Sequence, residues 1–333
     1  MSGRVVAITG ASAGVGRAAA RAFAAAGDHV ALLARNVEAL EAAAAEVRAH
    51  GVRALVCPVD VADAAAVEAA AATIEAELGP IDVWVNNAMT AVLAPVSQTS
   101  AEDFRRVTEV TYLGYVHGTL AALPLMQSRG RGVIVQVGSA LAFRSIPLQA
   151  TYCGAKHAIV GFTDALRTEL LHDHSKVKVS LVHMAGMNTP QFGWVKTDLS
   201  RHPQPVPPIY QPEVAAKAIV WLADHPRRAL YVGAPTPLTI WAGRLVPGLV
   251  DRYLARTNYQ AQQTDRPIQA NRPSNLEHPV PGDQGAHGIF DDQAHPRSAQ
   301  LWLATHRRAT VSTTLTAAAL AAFVAHRCIT TRP

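Results

Sequence analysis

Tyr152, Lys156 and Ser139 have the residue types and the spacing for chemistry at a carbonyl group. Tyr152 and Lys156 stand four residues apart in a stretch of helical periodicity, 151–174, so both side chains project from one helix face. Ser139 follows the apolar run Val133–Val137 and Gly138, at what would be the carboxyl edge of a sheet. Reducing a carbonyl requires a proton for the nascent alkoxide as hydride reaches carbon. A tyrosine has an ordinary pKa of about 10, too high for proton exchange at neutral pH. A neighbouring ammonium favours the phenolate and lowers that value. Ser139 can donate a hydrogen bond to the oxygen as charge develops on it.

Hydride needs a carrier, and the start of the chain offers a place for one. The first apolar run ends in Thr9-Gly10-Ala11-Ser12-Ala13-Gly14-Val15-Gly16, and a helical pattern opens at once. A glycine turn there lets the backbone approach a pyrophosphate, with helix N–H groups and the helix dipole turned to the anion. The spacing is G-x-x-x-G-x-G, not the G-x-G-x-x-G of the ordinary dinucleotide fingerprint. Arg35 ends the second apolar run, where the adenosine ribose of a dinucleotide would lie. An acidic residue there would bond a free 2′-hydroxyl, whereas arginine pairs with a 2′-phosphate. No Asp or Glu occupies 31–35, so NADP is expected in preference to NAD. Arg17, just past the loop, is a candidate second cation.

These residues need a scaffold, and the pattern of the chain supplies one. Short apolar runs at Val5–Thr9, His29–Ala34, Arg53–Cys57, Ile81–Val85, Val133–Val137, Val177–His183 and Ala229–Val232 alternate with segments of helical period. The helices are expected near 14–26, 36–49, 63–78, 102–127, 151–174 and 212–224. Asp63 is placed to cap its helix, Gly27 and Gly51 follow two helix ends, and Pro212 suits a first turn. The runs are apolar throughout, as strands are when helices cover both faces of a parallel sheet. The expected fold is one doubly wound α/β domain with a seven-stranded parallel sheet.

Thus far the chain resembles the short-chain dehydrogenase/reductase family, over roughly 4–232. The resemblance implies a Rossmann fold and cofactor contacts from the loop Thr9 to Gly16, from Asp60 and Val61 near adenine, and from Asn87 and Ala88 in Asn86-Asn87-Ala88. It implies Ser139, Tyr152 and Lys156 as the catalytic set, with Tyr152 as acid/base and Lys156 also holding the nicotinamide ribose. Thr189 matches a threonine that contacts the carboxamide. Family members usually pair through the helices matching 102–127 and 151–174, so a homodimer or homotetramer is expected. Three places depart from the family pattern. Met89 replaces a glycine, Met184-Ala185 replaces Pro-Gly, and Thr111 stands where a catalytic asparagine usually anchors a relay water. Thr111 is expected to bind that water through its hydroxyl, which has one donor and no amide carbonyl.

Composition bounds the rest. Of 333 residues, 49% are hydrophobic and 17% charged, enough apolar material for a sizeable core. The net charge of +5 carries no basic block, which argues against nucleic acid as a partner. Cys57, Cys153 and Cys328 are scattered, the histidines show no metal spacing, and His172 and His174 read as a solvated turn, so no metal site is expected. The stretch 186–211, with Phe192, Trp194, Pro203, Pro205, Pro207, Pro208 and Tyr210, has no sustained period and is expected to be a lid or substrate wall. Its apolar character points to an apolar carbonyl or alcohol substrate.

The organisation expected is a nucleotide-binding and catalytic domain at 1–234, a helical extension at 235–257, an extended polar arm at 258–308 and an apolar helix at 309–333. The uncharged segment 309–325 is short of the roughly 20 apolar residues a spanning helix needs. It reads as a core or interface helix, with peripheral membrane contact as the alternative. No basic leader precedes the first strand, so the expected location is cytoplasmic. The leading functional reading is an NADP(H)-dependent oxidoreductase of a ketone/secondary alcohol pair. The alternative is a non-catalytic NADP-binding sensor or scaffold, motivated by the three departures.

Overall fold

The computed structural model describes residues 3–269 and 271–306. The apolar runs become strands β1 (Val5–Thr9), β2 (His29–Ala34), β3 (Ala54–Pro58), β4 (Ile81–Asn86), β5 (Val133–Ser139), β6 (Lys178–Met184) and β7 (Ala229–Val232). They form one seven-stranded sheet in the order β7-β6-β5-β4-β1-β2-β3. Every pairing in it is parallel; Ile8, for example, stands opposite Leu32 on one side and Val85 on the other. Strand order reverses between β1 and β4, and open sheets of this kind bind ligands at the carboxyl ends flanking such a reversal.

Helices carry the chain back between strands: α1 (Gly14–Ala25), α2 (Val37–Arg48), α3 (Ala64–Glu77), α4 (Ala101–Thr108), α5 (Gly114–Ser128), α6 (Ala150–His172) and α7 (Pro212–Asp224). Their starts have local causes. The side chains of Asn36 and Asp63 accept from Ala39 N–H at 3.1 Å and Ala66 N–H at 3.0 Å, capping α2 and α3. Ser100 and Asp103 close a capping box on α4, and Pro212 occupies the first turn of α7. Alternation along β1 divides the core. Val6 and Ile8 pack with Phe23 of α1, Leu40 of α2 and Ile219 of α7. Val5 and Ala7 pack with Ile74 of α3, Met126 of α5 and Leu166 of α6. Both faces are therefore dry, as the unbroken apolar runs require.

One expected helix is two. The stretch 102–127 is interrupted by a π-helical turn at Glu109–Leu113, and residue 111 lies in it. Such turns insert an extra residue and re-aim the side chains around them. Beyond β7, α8 (Pro235–Leu245) and α9 (Pro247–Ala261) meet at Val246, where Pro247 cannot continue the first helix. The stretch 258–308, expected as an extended polar arm, includes the end of α9. It continues into a strand at Gln263–Pro267, paired antiparallel with Arg201–Pro203, and α10 (Ala299–Thr305). Between them an irregular segment packs across the carboxyl edge of the sheet. The expected apolar helix at 309–325 lies outside the described residues. Among the described residues no helix is long and apolar enough to cross a membrane.

A buried polar knot fixes β4 to α5. The Asn86 amide donates to Gln136 Oε1 at 2.9 Å, to Thr119 Oγ1 at 3.2 Å and to the Tyr115 carbonyl at 3.2 Å, and it accepts from the Trp84 indole at 2.8 Å. Gly118 leaves room for the knot: a Cβ there would stand 2.2 Å from Asn86 Oδ1. Gly118→Ala gains about 1 kcal/mol of helix propensity but breaks this knot, and overpacking alone costs roughly 1–3 kcal/mol. Urea denaturation of Gly118→Ala should show a net loss of about 2 kcal/mol; unchanged or greater stability would contradict this packing.

Candidate active site

A cavity of about 510 Å³ opens at the carboxyl edge, where β1, β4 and β5 end. Gly10, Ser12, Ala13, Gly14 and Val15 line one part of it, with Asn87 and Ala88 beside them. Gly10 and Gly14 have φ of +67° and +57°, and a Cβ on Gly16 would stand 2.2 Å from the Gly10 carbonyl oxygen. Only glycine fits this turn. No side chain caps α1 at Ala13, so the positive end of the helix meets the cavity. Thr9 and Gly16 do not line it. The Thr9 hydroxyl accepts from the N–H groups of Asn87 at 2.9 Å and Ala88 at 3.0 Å, and the Asn87 amide donates to the Thr9 carbonyl at 2.9 Å. Thr9 and Asn87 thus clamp the loop to β4. The glycine cradle and the helix end, which no side chain caps, fit a dinucleotide pyrophosphate.

Arg35, Asp60 and Val61 line the far end of the cavity, and Thr189 lies across from Gly14. Burial would raise the Asp60 carboxyl, but the Arg106 guanidinium and the Ala62 N–H outweigh it and hold the pKa below its ordinary value. Arg17 is a correction. Expected as a phosphate cation, it is buried, and all five of its N–H donors are taken. They go to Glu46, to Asp283 and to the Ser12 carbonyl.

Asp283 belongs to the irregular segment, which forms a strap over this end of the cavity. The Gly14 N–H donates to the Gly285 carbonyl at 3.1 Å, and the Asn36 amide donates to the carbonyls of Val280 at 2.7 Å and Gly282 at 3.0 Å. Arg35 donates to the carbonyls of Asn275, Leu276 and Glu277, which leaves two of its five N–H groups for a ligand. Asn275, Pro279, Val280, Gly282 and Gln284 line the cavity. Sequence reasoning missed these residues, because the Pro- and Gln-rich composition of the strap reads as unstructured chain. The only local signals were Gly282 and Gly285, both at positive φ.

Ser139, Tyr152 and Lys156 come together on the cavity wall. Ser139 is the last residue of β5, and its Oγ accepts from Leu141 N–H at 3.1 Å. One helical turn of α6 separates Tyr152 from Lys156, whose Nζ lies 5.5 Å from the Tyr152 ring centroid. Lys156 is fully buried and donates to the Val137 carbonyl at 2.7 Å and to the Tyr115 hydroxyl at 2.9 Å. Burial pushes its pKa down to about 7.

The expectation that this ammonium lowers the Tyr152 phenol is not met. Burial raises the phenol above its ordinary value, and the Ser139 hydrogen bond opposes this only in part. Tyr152 is therefore held as an intact proton donor.

Thr111 also departs from its expected role. Its hydroxyl donates to the Thr90 carbonyl at 2.7 Å and accepts from the Thr90 N–H at 3.0 Å. It ties the π-helical turn to the loop after β4 and does not line the cavity. A relay water therefore finds no free donor at this residue. Tyr115, one turn further on, is the residue that reaches Lys156, and nothing in its sequence spacing marks it. The stretch 186–211 supplies wall residues Met187, Phe192, Trp194 and Pro205 to Pro208, with Tyr253 and Leu254 of α9 nearby. Among the described residues no group of three or more His, Cys, Asp or Glu side chains could hold a metal ion.

A family model described as short chain dehydrogenase matches residues 4–199. The chain belongs to the short-chain dehydrogenase/reductase family and is an NAD(P)-dependent oxidoreductase. An uncharacterized oxidoreductase of Bacillus subtilis (strain 168), YxnA, is 32% identical over 327 residues, 98% of this chain and 91% of the relative. L-sorbose reductase from Gluconobacter frateurii, solved with NADPH and L-sorbose, is 27% identical with a TM-score of 0.62, covering 70% of this chain and 95% of the other. A short chain dehydrogenase from Mycobacterium paratuberculosis bound to NAD is 26% identical with a TM-score of 0.62, covering 69% and 96%. The relatives are oxidoreductases, which leaves the sensor reading without support.

The buried lysine has a signature that needs no substrate. In the folded chain Lys156 loses its proton near 7, against an ordinary value of 10.5. Between these values the unfolded chain holds more protons, so this group makes stability rise with pH. Denaturation of the cofactor-free protein should show wild type gaining on Lys156→Met from pH 7 to about pH 10. A difference that stays constant over that range would contradict the burial of the charge.

Proposed function

We propose that the protein uses NADPH to reduce the carbonyl group of an apolar substrate to a secondary alcohol. The observation that carries this reading is the Tyr152 phenol beside Ser139 and Lys156, on the wall of a cavity with Arg35 at its far end. When bound, the nicotinamide supplies a hydride to the carbonyl carbon. Ser139 and Tyr152 hydrogen-bond the carbonyl oxygen, and the Tyr152 proton passes to that oxygen as the alkoxide forms. The Lys156 ammonium, below its pKa of about 7, stabilises the phenolate left behind. A donor that starts protonated favours the reductive direction.

Support for an apolar substrate comes from the wall of Leu141, Ile146, Met187, Phe192, Trp194 and Leu254. Specific ligand sites are mostly apolar with a few polar groups to orient the ligand. Support for NADP comes from the charge near the ribose end: Arg35 retains two donors, and no acid stands on β2 to bond a free 2′-hydroxyl.

NADPH oxidation measured with a panel of lipophilic ketones, and then with Tyr152→Phe, tests the chemistry. The variant should lose at least about 100-fold in kcat, and equal rates would rule the mechanism out. In the same assay Arg35→Ala should raise KM for NADPH roughly tenfold while leaving KM for NADH within about twofold. An equal rise for both cofactors would remove the 2′-phosphate assignment.

A further inference from the structure

Lys156 has two phenols around it and the proposed mechanism uses one. The other belongs to Tyr115, in the second position of α5, just past the π-helical turn. Its ring is almost fully buried against Ile159 of α6 and Leu181 of β6. Its hydroxyl accepts from Lys156 Nζ at 2.9 Å and donates to the Val137 carbonyl at 2.9 Å. Lys156 donates to that same carbonyl at 2.7 Å, so the three polar groups close a triangle. Nζ also stands 4.6 Å from the centroid of the Tyr115 ring, within reach of a cation–π attraction.

From this triangle we propose that Tyr115 is the positioning residue of the active-site lysine, holding its ammonium charged and aimed at Tyr152. The inference rests on the reductive mechanism above. Its logic is the direction of the hydrogen bonds. The Tyr115 proton is turned to a backbone carbonyl, so its oxygen presents lone pairs to Lys156 and acts only as an acceptor. An acceptor stabilises the ammonium more than the neutral amine, because a charge-assisted hydrogen bond is the stronger one. Tyr115 forwards no proton, because the Val137 carbonyl has none to exchange. The proton that reaches substrate comes from Tyr152 alone.

Other nearby groups do not supply this support. On β6, His183 is buried and pushed down to about 4, so it is neutral near Lys156 at working pH. From β5 only the Val137 carbonyl reaches Nζ. On α6, Asp164 is paired with Arg167 and Arg228, and Cys153 is raised by burial and stays a thiol. After β5, Arg144 is paired with Asp251 of α9. Tyr112 of the π-helical turn packs in the same apolar cluster as Tyr115. Thr111, in that turn, has both hydrogen-bonding functions on Thr90. Two acceptors and two ring faces therefore carry the charge, and Tyr115 supplies one acceptor and the nearer ring, 4.6 Å away against 5.5 Å for Tyr152.

The test is the pH profile of reductive kcat in the full-length enzyme with saturating NADPH. Tyr115→Phe keeps the ring and removes the acceptor. Its kcat should fall roughly tenfold, the effect of one hydrogen bond to a charged group, and the alkaline limb should move down by about one pH unit. A fluorinated tyrosine at 115 keeps the shape, weakens the acceptor and should move the limb the same way by less. This second variant reads the effect even if the phenylalanine variant folds poorly. A limb that stays in place in both, with kcat within about twofold, would overturn the role. Tyr152→Phe in the same assay separates the two readings. If it is inactive while both Tyr115 variants are silent, the positioning role alone falls. If it is fully active, the underlying mechanism falls.

Discussion

A single ammonium almost wholly shielded from water is the constraint around which the site is built. An isolated charge transferred into a protein interior is strongly disfavoured, and it persists only with hydrogen-bond partners or by giving up its proton. Lys156 is poised between these outcomes, with a pKa near 7 and, among the described residues, no carboxylate beside it. Its support is made of neutral groups: a strand carbonyl, a phenol oxygen and the face of a phenol ring. A carboxylate partner would have held the charge more firmly and would also have raised the phenolate of Tyr152 further. Neutral acceptors leave the positive field of the lysine available to the neighbour one turn away. The same burial that depresses the lysine keeps Tyr152 protonated.

The sheet makes this arrangement possible by ending at the right places. β5 delivers Ser139 with its last residue and the Val137 carbonyl two residues earlier. β1 delivers the glycine loop, and β4 delivers the asparagine pair, one of which braces that loop while the other pins α5. α5 then carries Tyr115 to the lysine. The strap completes the other end of the cavity from outside the segment that the family model matches, residues 4–199. It is fastened by charge at Arg17 and Asp283 and by backbone carbonyls at Arg35 and Asn36. The cofactor end therefore has a wall that belongs to this chain's own extension.

Much of the fold was legible because parallel strands covered on both faces must be apolar throughout. All seven runs were found, with boundaries shifted by a residue or two, as at Arg53–Cys57 against β3 and Val177–His183 against β6. The glycine loop and the Tyr152–Lys156 pair were legible because spacing fixes them: a positive φ needs glycine, and a four-residue step puts two side chains on one helix face. What was not legible depended on contacts distant in sequence. Arg17 read as a phosphate cation because its partners Glu46 and Asp283 lie 29 and 266 residues away. Thr111 read as a water anchor because it stands where the family usually has an asparagine, and the π-helical turn that ties it to Thr90 leaves no periodic trace. Tyr115 was passed over for the same reason, since the extra residue shifts which side chain reaches the lysine.

The account stands on the ionisation of Lys156, and titration of its side chain by NMR reads that directly. With ε-carbon-labelled lysine, and Lys156→Met to assign the resonance, the Lys156 signal of the cofactor-free protein should titrate with a midpoint near 7. A midpoint at the ordinary lysine value of 10.5 would show a solvated ammonium and contradict the site described.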